Sequence, residues 1–290
     1  MASGSGEASG TGPILVGFDG SDGGRDALEL ARTLASVDGR PVTVVAVLPF
    51  GPLPVGYALL GEEADEETAP LFAAAREALA PLEPETRAYG GGSPAAVIND
   101  LAEREGFGTI VVGSPHRGAV GRVLIGSVAE GLLHGAPCEV AVAPRGYAAD
   151  RHACFGKVAV AYDGGPEARA ALARAEALAR VGNARLELLT AWAPPVPVPG
   201  AVGYVPPPPP DPEQLLREAA AAVDESLGVE TRCLSGSPGP AIAEACAADN
   251  VGLLVAGSRG YGPLARVLMG SVSRSLARKA PCPVLVVPRP

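Results

Sequence analysis

The sequence repeats itself once, at a constant offset of 144 residues. Asp19 and Asp163 are 163 − 19 = 144 positions apart, and the same offset relates Ser127 to Ser271. Between residues 113 and 145, 17 of 33 positions are identical to their partners 144 residues later, where unrelated sequences would share roughly one in sixteen. A unit of this length is a complete domain and not a short solenoid repeat. We therefore expect two similar domains, at 13–147 and 157–290, with a disordered head (1–12) and a linker (148–156).

Short apolar runs alternate with longer helical patterns in each half. This alternation is typical of strand–helix–strand crossovers, and the aromatic content of only 4% suits Val-rich strands covered by Ala- and Leu-rich helices. Each half is thus predicted to be an α/β domain with an open five-stranded parallel sheet, with helices over 24–37 and 167–181. The strands are predicted over 14–18, 42–48, 85–89, 109–113 and 139–143, and over 157–162, 185–191, 229–234, 252–257 and 283–287.

The charge balance argues against large polyanionic partners. Lys and Arg number 23 against 32 Asp and Glu, which gives a formal net charge of -9. Such a chain has no general attraction for nucleic acid or for an anionic membrane surface. It also lacks an apolar run long enough to span a membrane and a basic-then-apolar start. We expect no nucleic-acid partner, no membrane partner and a cytoplasmic location.

The cysteines do not form a recognisable framework. There are five of them, with no Cys-x-x-Cys pair, and the chain holds only three histidines. Neither a disulfide scaffold nor a metal site is expected. Cys138 and Cys282 each follow a proline at the start of an apolar run, so we predict that they are buried structural thiols.

Two segments break the repeat. Residues 192–212 contain five consecutive prolines at 206–210, which form a stiff connector or, alternatively, a recognition sequence for an aromatic groove. Residues 49–68 contain an acidic run at 62–67, which is typical of a solvated helix start because carboxylates suit the positive end of a helix.

A glycine-rich loop follows the fourth predicted strand of the second half. Gly257, Gly260 and Gly262 stand between that strand and a helix that follows Gly270. Glycine accepts positive φ and lets backbone amides approach phosphate oxygens, and the start of a helix offers unpaired N–H donors. Ser271 adds a hydroxyl. Arg259 and Arg266 fit either a countercharge role or a solvated surface role.

The spacing Gly-x2-Gly-x9-Gly-Ser in this loop resembles that of the ATP-binding members of the universal stress protein family. The resemblance extends to the strands ending at Asp19-Gly20 and Asp163-Gly164 and to the closing Pro-Cys-x-Val-x-Val-x-Pro strands. It implies a Rossmann-like fold of the adenine nucleotide alpha hydrolase type in each half, with ATP as ligand, alone or with Mg²⁺. It also implies a pseudo-twofold pairing of the halves within one chain and allows a further homodimer.

The resemblance places the nucleotide-binding residues in both halves, position by position. Asp19 and Asp163 have an alternative interpretation as end-of-strand turns or helix caps, which Asp supplies well. The predicted set comprises Gly17, Asp19, Val47, Gly113, Ser114, His116, Gly118, Arg122, Gly126, Ser127 and Val128 in the first half, and Ala161, Asp163, Ala191, Gly257, Ser258, Arg259, Gly260, Gly262, Arg266, Gly270, Ser271 and Val272 in the second.

The first half departs from the pattern at one position of its loop. His116 stands where the second half has Gly260, and Pro115 removes one backbone donor. His116 could instead donate a side-chain hydrogen bond to phosphate. We expect the second half to bind ATP more tightly than the first.

Three functions are compatible with these motifs. The first is an ATP-binding regulator or sensor of stress that acts through nucleotide-dependent conformation on a regulatory protein partner. The second is a slow ATP hydrolase or phosphotransferase in the same pocket; no Walker lysine or kinase residue set is present, so no catalytic residue is assigned. The third is an interaction module without nucleotide, which the first half could be.

The last strand of each half, at 139–143 and 283–287, is Val-rich and is predicted to lie at the edge of its sheet. Unpaired backbone groups at an edge favour pairing with another strand. We predict that these two strands pair with each other and join the halves.

Overall fold

The computed structural model describes residues 12–48, 57–60, 65–114, 126–149, 152, 154–192, 211–258, 267 and 270–289. Within these residues, both halves have the predicted α/β architecture. The predicted head, apart from Gly12, and the proline run at 206–210 lie outside them. Of the acidic run, Asp65, Glu66 and Glu67 begin a helix, and the two glutamates are exposed, as predicted.

Strands and helices alternate along the first half. The strands are β1 (Ile14–Gly17), β2 (Val42–Leu48), β3 (Ala58–Leu59), β4 (Glu85–Gly90), β5 (Thr109–Gly113) and β6 (Glu139–Ala143). The helices are α1 (Asp22–Asp38), α2 (Asp65–Leu79), α3 (Pro94–Glu105) and α4 (Ser127–Leu132). The predicted count of five strands is wrong for this half, because β3 adds a sixth. β3 has two exposed residues at the sheet edge, so no apolar run marks it in the sequence.

The second half follows the same order. Its strands are β7 (Lys157–Ala161), β8 (Arg185–Trp192), β9 (Glu230–Ser235), β10 (Leu253–Gly257) and β11 (Val284–Val287). Its helices are α5 (Pro166–Gly182), α6 (Pro212–Ala221), α7 (Pro238–Ala248) and α8 (Ser271–Lys279), with short 3-10 helices at Tyr147–Ala149 and Glu225–Leu227.

The long helices α1 and α5 have clear start and stop signals. The Ser21 side chain accepts the Gly24 N–H and caps the start of α1, while Pro166 opens α5 with a fixed φ. Gly39 ends α1 at φ 70° and Asn183 ends α5 at φ 50°, both in the left-handed region. Each helix buries a Leu- and Ala-rich face on the sheet, in one continuous core that both halves share.

The described strands form one 11-stranded sheet, in the order β3-β4-β2-β1-β5-β6-β11-β10-β7-β8-β9. All neighbours are parallel except β3 with β4 and β6 with β11. The predicted pairing of the two final strands is therefore confirmed. Ala141 pairs with Leu285, its own equivalent because 285 − 144 = 141, and Val284 and Val286 pair with Val142 and Val140. This register is symmetric about the Ala141–Leu285 pair, as a pseudo-twofold axis requires.

A buried ionic network crosses the junction between the halves; we call it the junction network. Arg174 of α5 donates through Nε to both carboxylate oxygens of Glu139, at 3.0 and 3.1 Å, and through Nη2 to Asp38 at 3.1 Å. Thr109 donates to Glu139 and accepts from Arg40, which also pairs with Asp38. The Glu139 side chain is fully buried, so its negative charge cannot be stabilised by water. Among the described residues, this network provides the groups that stabilise that charge.

The segment that joins the halves is hydrogen-bonded to α1. Asp26 accepts the backbone N–H groups of Gly146 and Ala148, at 2.9 and 2.8 Å. Glu29 accepts the N–H of His152, whose carbonyl accepts from Arg32 at 2.7 Å. Asp26, Glu29 and Arg32 are all buried. The orientation of α1 is thereby fixed to the connection between the halves.

The thiols Cys138, Cys246 and Cys282 are buried, which confirms the prediction for the first and third. Burial raises the pKa of Cys138 to about 12, so this thiol is protonated at neutral pH. Cys154 and Cys233 are exposed. Among the described residues, no helix combines the length and the apolar character needed to cross a bilayer.

Candidate functional site

A cavity of about 730 Å³ opens above the carboxyl ends of the strands in the first half; we call it the first cleft. Small-molecule sites commonly enclose about 300 to 1,000 Å³, and open parallel sheets bind ligands at this end of the strands. The structure brings eight of the predicted residues together around the first cleft: Gly17, Asp19, Val47, Gly113, Ser114, Gly126, Ser127 and Val128.

One wall of the first cleft is apolar. Val45, Val47, Ile98 and Val112 line it, and all except the half-buried Val47 are buried in the core. Side chains that the core holds in place form a preorganised surface for a flat, uncharged ligand group. Of these four, only Val47 was predicted, because the others carry no signal beyond that of ordinary core residues.

The opposite wall is the start of α1. Asp19 accepts the backbone N–H of Ser21 at 3.0 Å and its hydroxyl at 2.5 Å, and Ser21 caps Gly24. The turn interpretation of Asp19 is therefore confirmed. The equivalent Asp163 accepts the N–H of Gly165 at 2.9 Å, so its turn role is confirmed as well. Asp19 and Asp163 also line their clefts, and their role toward a ligand stays a prediction.

Gly113 permits the end of β5 to lie directly against this turn. A Cβ added to Gly113 would stand 1.8 Å from the carbonyl oxygen of Gly23 and 2.4 Å from its carbonyl carbon. These are backbone atoms that no side-chain rotation can move away. This part of the first cleft therefore requires glycine at position 113, because any larger residue would clash with the backbone of Gly23.

We expect Gly113→Ala to lower the free energy of unfolding by about 1 to 3 kcal/mol, because β5 or α1 must shift to accommodate the methyl group. Urea unfolding measures this change. The control is Gly156→Ala, where an added Cβ would meet nothing within 4 Å. If both variants lost the same free energy of unfolding, the close approach of Gly113 to Gly23 would not contribute to stability.

Two helices start at equivalent positions of the two halves. Gly126 precedes α4 and Gly270 precedes α8, and no side chain caps either start. The first-turn amides are therefore not used by a capping side chain, and residues of both helix starts line the clefts. Ser127 lines the first cleft, whereas Ser271 begins α8 and Gly270 and Val272 line the cleft of the second half.

The second half has a smaller cavity at the equivalent place; we call it the second cleft. Its volume is about 210 Å³. Seven predicted residues line it, together with unpredicted ones that include Glu167 and Thr190. The predicted residues are Ala161, Asp163, Ala191, Gly257, Ser258, Gly270 and Val272.

The sizes of the two clefts oppose the expected order of affinity. The first cleft falls within the usual range of ligand sites and the second falls below it. The expected order rests on the glycine-rich segments, whereas the two halves also differ at position 167. This difference can be read from the sequence, because Glu167 lies 144 residues after Gly23 and is therefore its equivalent.

Several predicted residues lie outside the described part of the chain. These are His116, Gly118 and Arg122 in the first half and Arg259, Gly260, Gly262 and Arg266 in the second. Their roles remain predictions. Among the described residues, no group of three His, Cys, Asp or Glu side chains is arranged to hold a metal ion.

Comparisons with known proteins agree with this architecture. The model of the universal stress protein family matches residues 10–144 and again 155–288. A universal stress protein of Mycolicibacterium smegmatis is 30% identical over 291 residues, covering 94% of this chain and 96% of the relative. One from Thermus aquaticus is 32% identical over 139 residues, covering 46% of this chain and 98% of the relative.

A solved structure supports the fold of the whole chain. The crystal structure of a universal stress protein from Archaeoglobus fulgidus superposes with a TM-score of 0.69 at 23% identity. The similarity covers 96% of this chain and 98% of that one. At this level of identity the likeness concerns the fold alone.

Proposed function

Because this chain belongs to the universal stress protein family, we propose that it is an adenine-nucleotide-binding regulator whose first cleft holds ATP. The observation that carries the proposal is the 730 Å³ first cleft, which combines an apolar wall, a carboxylate and two helix starts. An adenine nucleotide has three matching parts, which are a flat base, a hydroxylated sugar and a phosphate chain.

Each part of the nucleotide has a complement in the first cleft. The apolar wall around Val47 and Ile98 suits the base, and Asp19 can accept hydrogen bonds from the ribose hydroxyls. The amides at the start of α4, together with the Ser127 hydroxyl, offer donors to phosphate oxygens. His116, Gly118 and Arg122 precede α4 in the sequence, and we propose that they complete the phosphate contacts.

The regulatory part of the proposal follows from the position of α1. Its start lines the first cleft, and its buried Asp26 and Glu29 hold the segment between the halves. A ligand that orders the start of α1 therefore acts on an element joined to both halves. We propose that nucleotide occupancy changes the surface offered to a cytoplasmic protein partner, with further homodimerisation as one such contact.

The direct test is the nucleotide content of the freshly purified protein. We expect denaturation to release one ATP per chain, and calorimetry on the emptied protein to show micromolar affinity. Incubation with ATP then reports turnover, which separates a regulator from a slow hydrolase. The proposed function fails if the protein releases no nucleotide and added ATP gives no binding heat.

A further inference from the structure

The two clefts differ at one position of the helix start that faces the ligand space. Gly23 lies in the first turn of α1, and its equivalent in α5 is Glu167, since 167 − 144 = 23. We infer that Glu167 determines which half takes the nucleotide, by adding a side chain and a negative charge to the second cleft. The inference rests on the proposed function and assigns ATP to one half.

Glu167 is one of the residues that line the second cleft. Its side chain is only 22% exposed, and a Cβ added to Gly165 would stand 3.4 Å from its Oε2. The N–H of Gly165 is already donated to Asp163, at 2.9 Å. Asp163 and Glu167 therefore place two carboxylates at the start of α5, beside the second cleft. Arg289 forms a long ion pair with Glu167, with 3.8 Å between Nε and Oε1, and the Arg289 side chain is 46% exposed.

The first cleft lacks this obstruction. Gly23 has no side chain, and the cavity there is larger by about 730 − 210 = 520 Å³. Asp22 is the other carboxylate at the start of α1, but it is 67% exposed and pairs with Arg25 at 2.8 Å. The Asp22 carboxylate is thus largely exposed to solvent, whereas the Glu167 side chain is mostly buried.

The second cleft nevertheless keeps features of a ligand site. Ser258 lines it and is fully buried, and its hydroxyl has no hydrogen-bond partner within the described chain. A buried hydroxyl without a partner costs free energy, so it is expected where a ligand atom or water completes it. Gly257 and Gly270 also retain their places around the cavity. The second cleft is therefore a latent site that one side chain keeps closed.

The test exchanges the two residues between the halves and counts ATP sites by calorimetry. Wild type is expected to bind one ATP per chain. Glu167→Gly is expected to bind two, and Gly23→Glu is expected to weaken binding to the first cleft at least tenfold. The combined variant Glu167→Gly with Gly23→Glu is expected to bind one ATP again, now in the second half.

Matched amide variants separate charge from size. Glu167→Gln and Gly23→Gln place a side chain of the same length without the negative charge, so each is expected to bind ATP more tightly than its glutamate counterpart at the same position. Thermal unfolding of all variants confirms that each remains folded, and Glu167→Gln keeps the α5 start intact if Glu167→Gly does not.

Each result decides between two separate claims. Two ATP sites in wild type, or one site in both folded Glu167 variants at unchanged affinity, would overturn the role of Glu167. No binding in wild type but one site in Glu167→Gly would overturn the proposed function of the first cleft and leave the role of Glu167 intact. No binding in either protein would overturn both.

Discussion

Replacement of Arg174 by methionine is expected to lower the free energy of unfolding by about 3 to 5 kcal/mol, because it leaves a buried carboxylate without its cation. The Arg174 side chain is 10% exposed and contacts both oxygens of Glu139, which is fully buried. Methionine fills a similar volume, so the loss reflects charge and not a cavity. Urea unfolding, followed by circular dichroism, measures the difference.

Two further variants test whether the loss of stability comes from the buried charge. Arg180→Met changes an arginine of the same helix that is 52% exposed and pairs only at the surface, so we expect a change within about 1 kcal/mol. The double variant Arg174→Met with Glu139→Gln removes the stranded charge and is expected to recover part of the loss. Equal destabilisation by Arg174→Met and Arg180→Met would contradict our description of the junction network.

Val47→Trp is expected to weaken ATP binding on the order of 100-fold, which corresponds to about 2.7 kcal/mol. Val47 is half-buried on the apolar wall of the first cleft, so a bulky ring there would fill the space proposed for the base. The change lies at the end of β2, away from the junction network. Calorimetric titration with ATP measures the affinity.

The control uses the equivalent position of the second half. Ala191, at 47 + 144, lines the second cleft, so Ala191→Trp places the same side chain in the cleft proposed to be closed. We expect it to leave the affinity for ATP unchanged. A large loss in Ala191→Trp together with normal binding in Val47→Trp would move the nucleotide to the second half and restore the order first expected from the loops.

The strands were predictable because each buried one is a short run of branched apolar residues between turn signals. The ten predicted strands correspond to ten in the structure, with bounds that differ by at most one residue. β3 could not be predicted, since a two-residue exposed edge strand depends on its backbone partner in β4 and not on its own side chains.

The candidate site was predictable where glycine or aspartate occupies a strand end. Asp19, Gly113 and Gly126 combine a local motif with a place at the carboxyl edge of the sheet, and all three line the first cleft. Glu167 was missed because an acidic residue in the first turn of a helix is ordinarily a favourable dipole contact. Its effect on the cleft depends on the direction of its side chain.

The junction network was also beyond reach of the sequence. Its members come from α1, the turn that follows α1, β5, β6 and α5, and no local spacing relates Arg174 to Glu139. The repeat even conceals them, because the positions equivalent to Arg174, Glu139 and Asp38 are Leu30, Pro283 and Gly182. An alignment of the halves shows only that these charged residues have small or apolar residues at the equivalent positions.

The carboxylates of the junction network lie in the first half and Arg174 lies in the second, and this difference determines which halves can pair. Two first halves would place Leu30 where Glu139 requires a cation, and two second halves would place Arg174 against Pro283 and Gly182. Either pairing buries charge without a counterion, and only the mixed pairing avoids it. The halves therefore recognise each other by their own chemistry, and the covalent connection raises their effective concentration without having to select the partner.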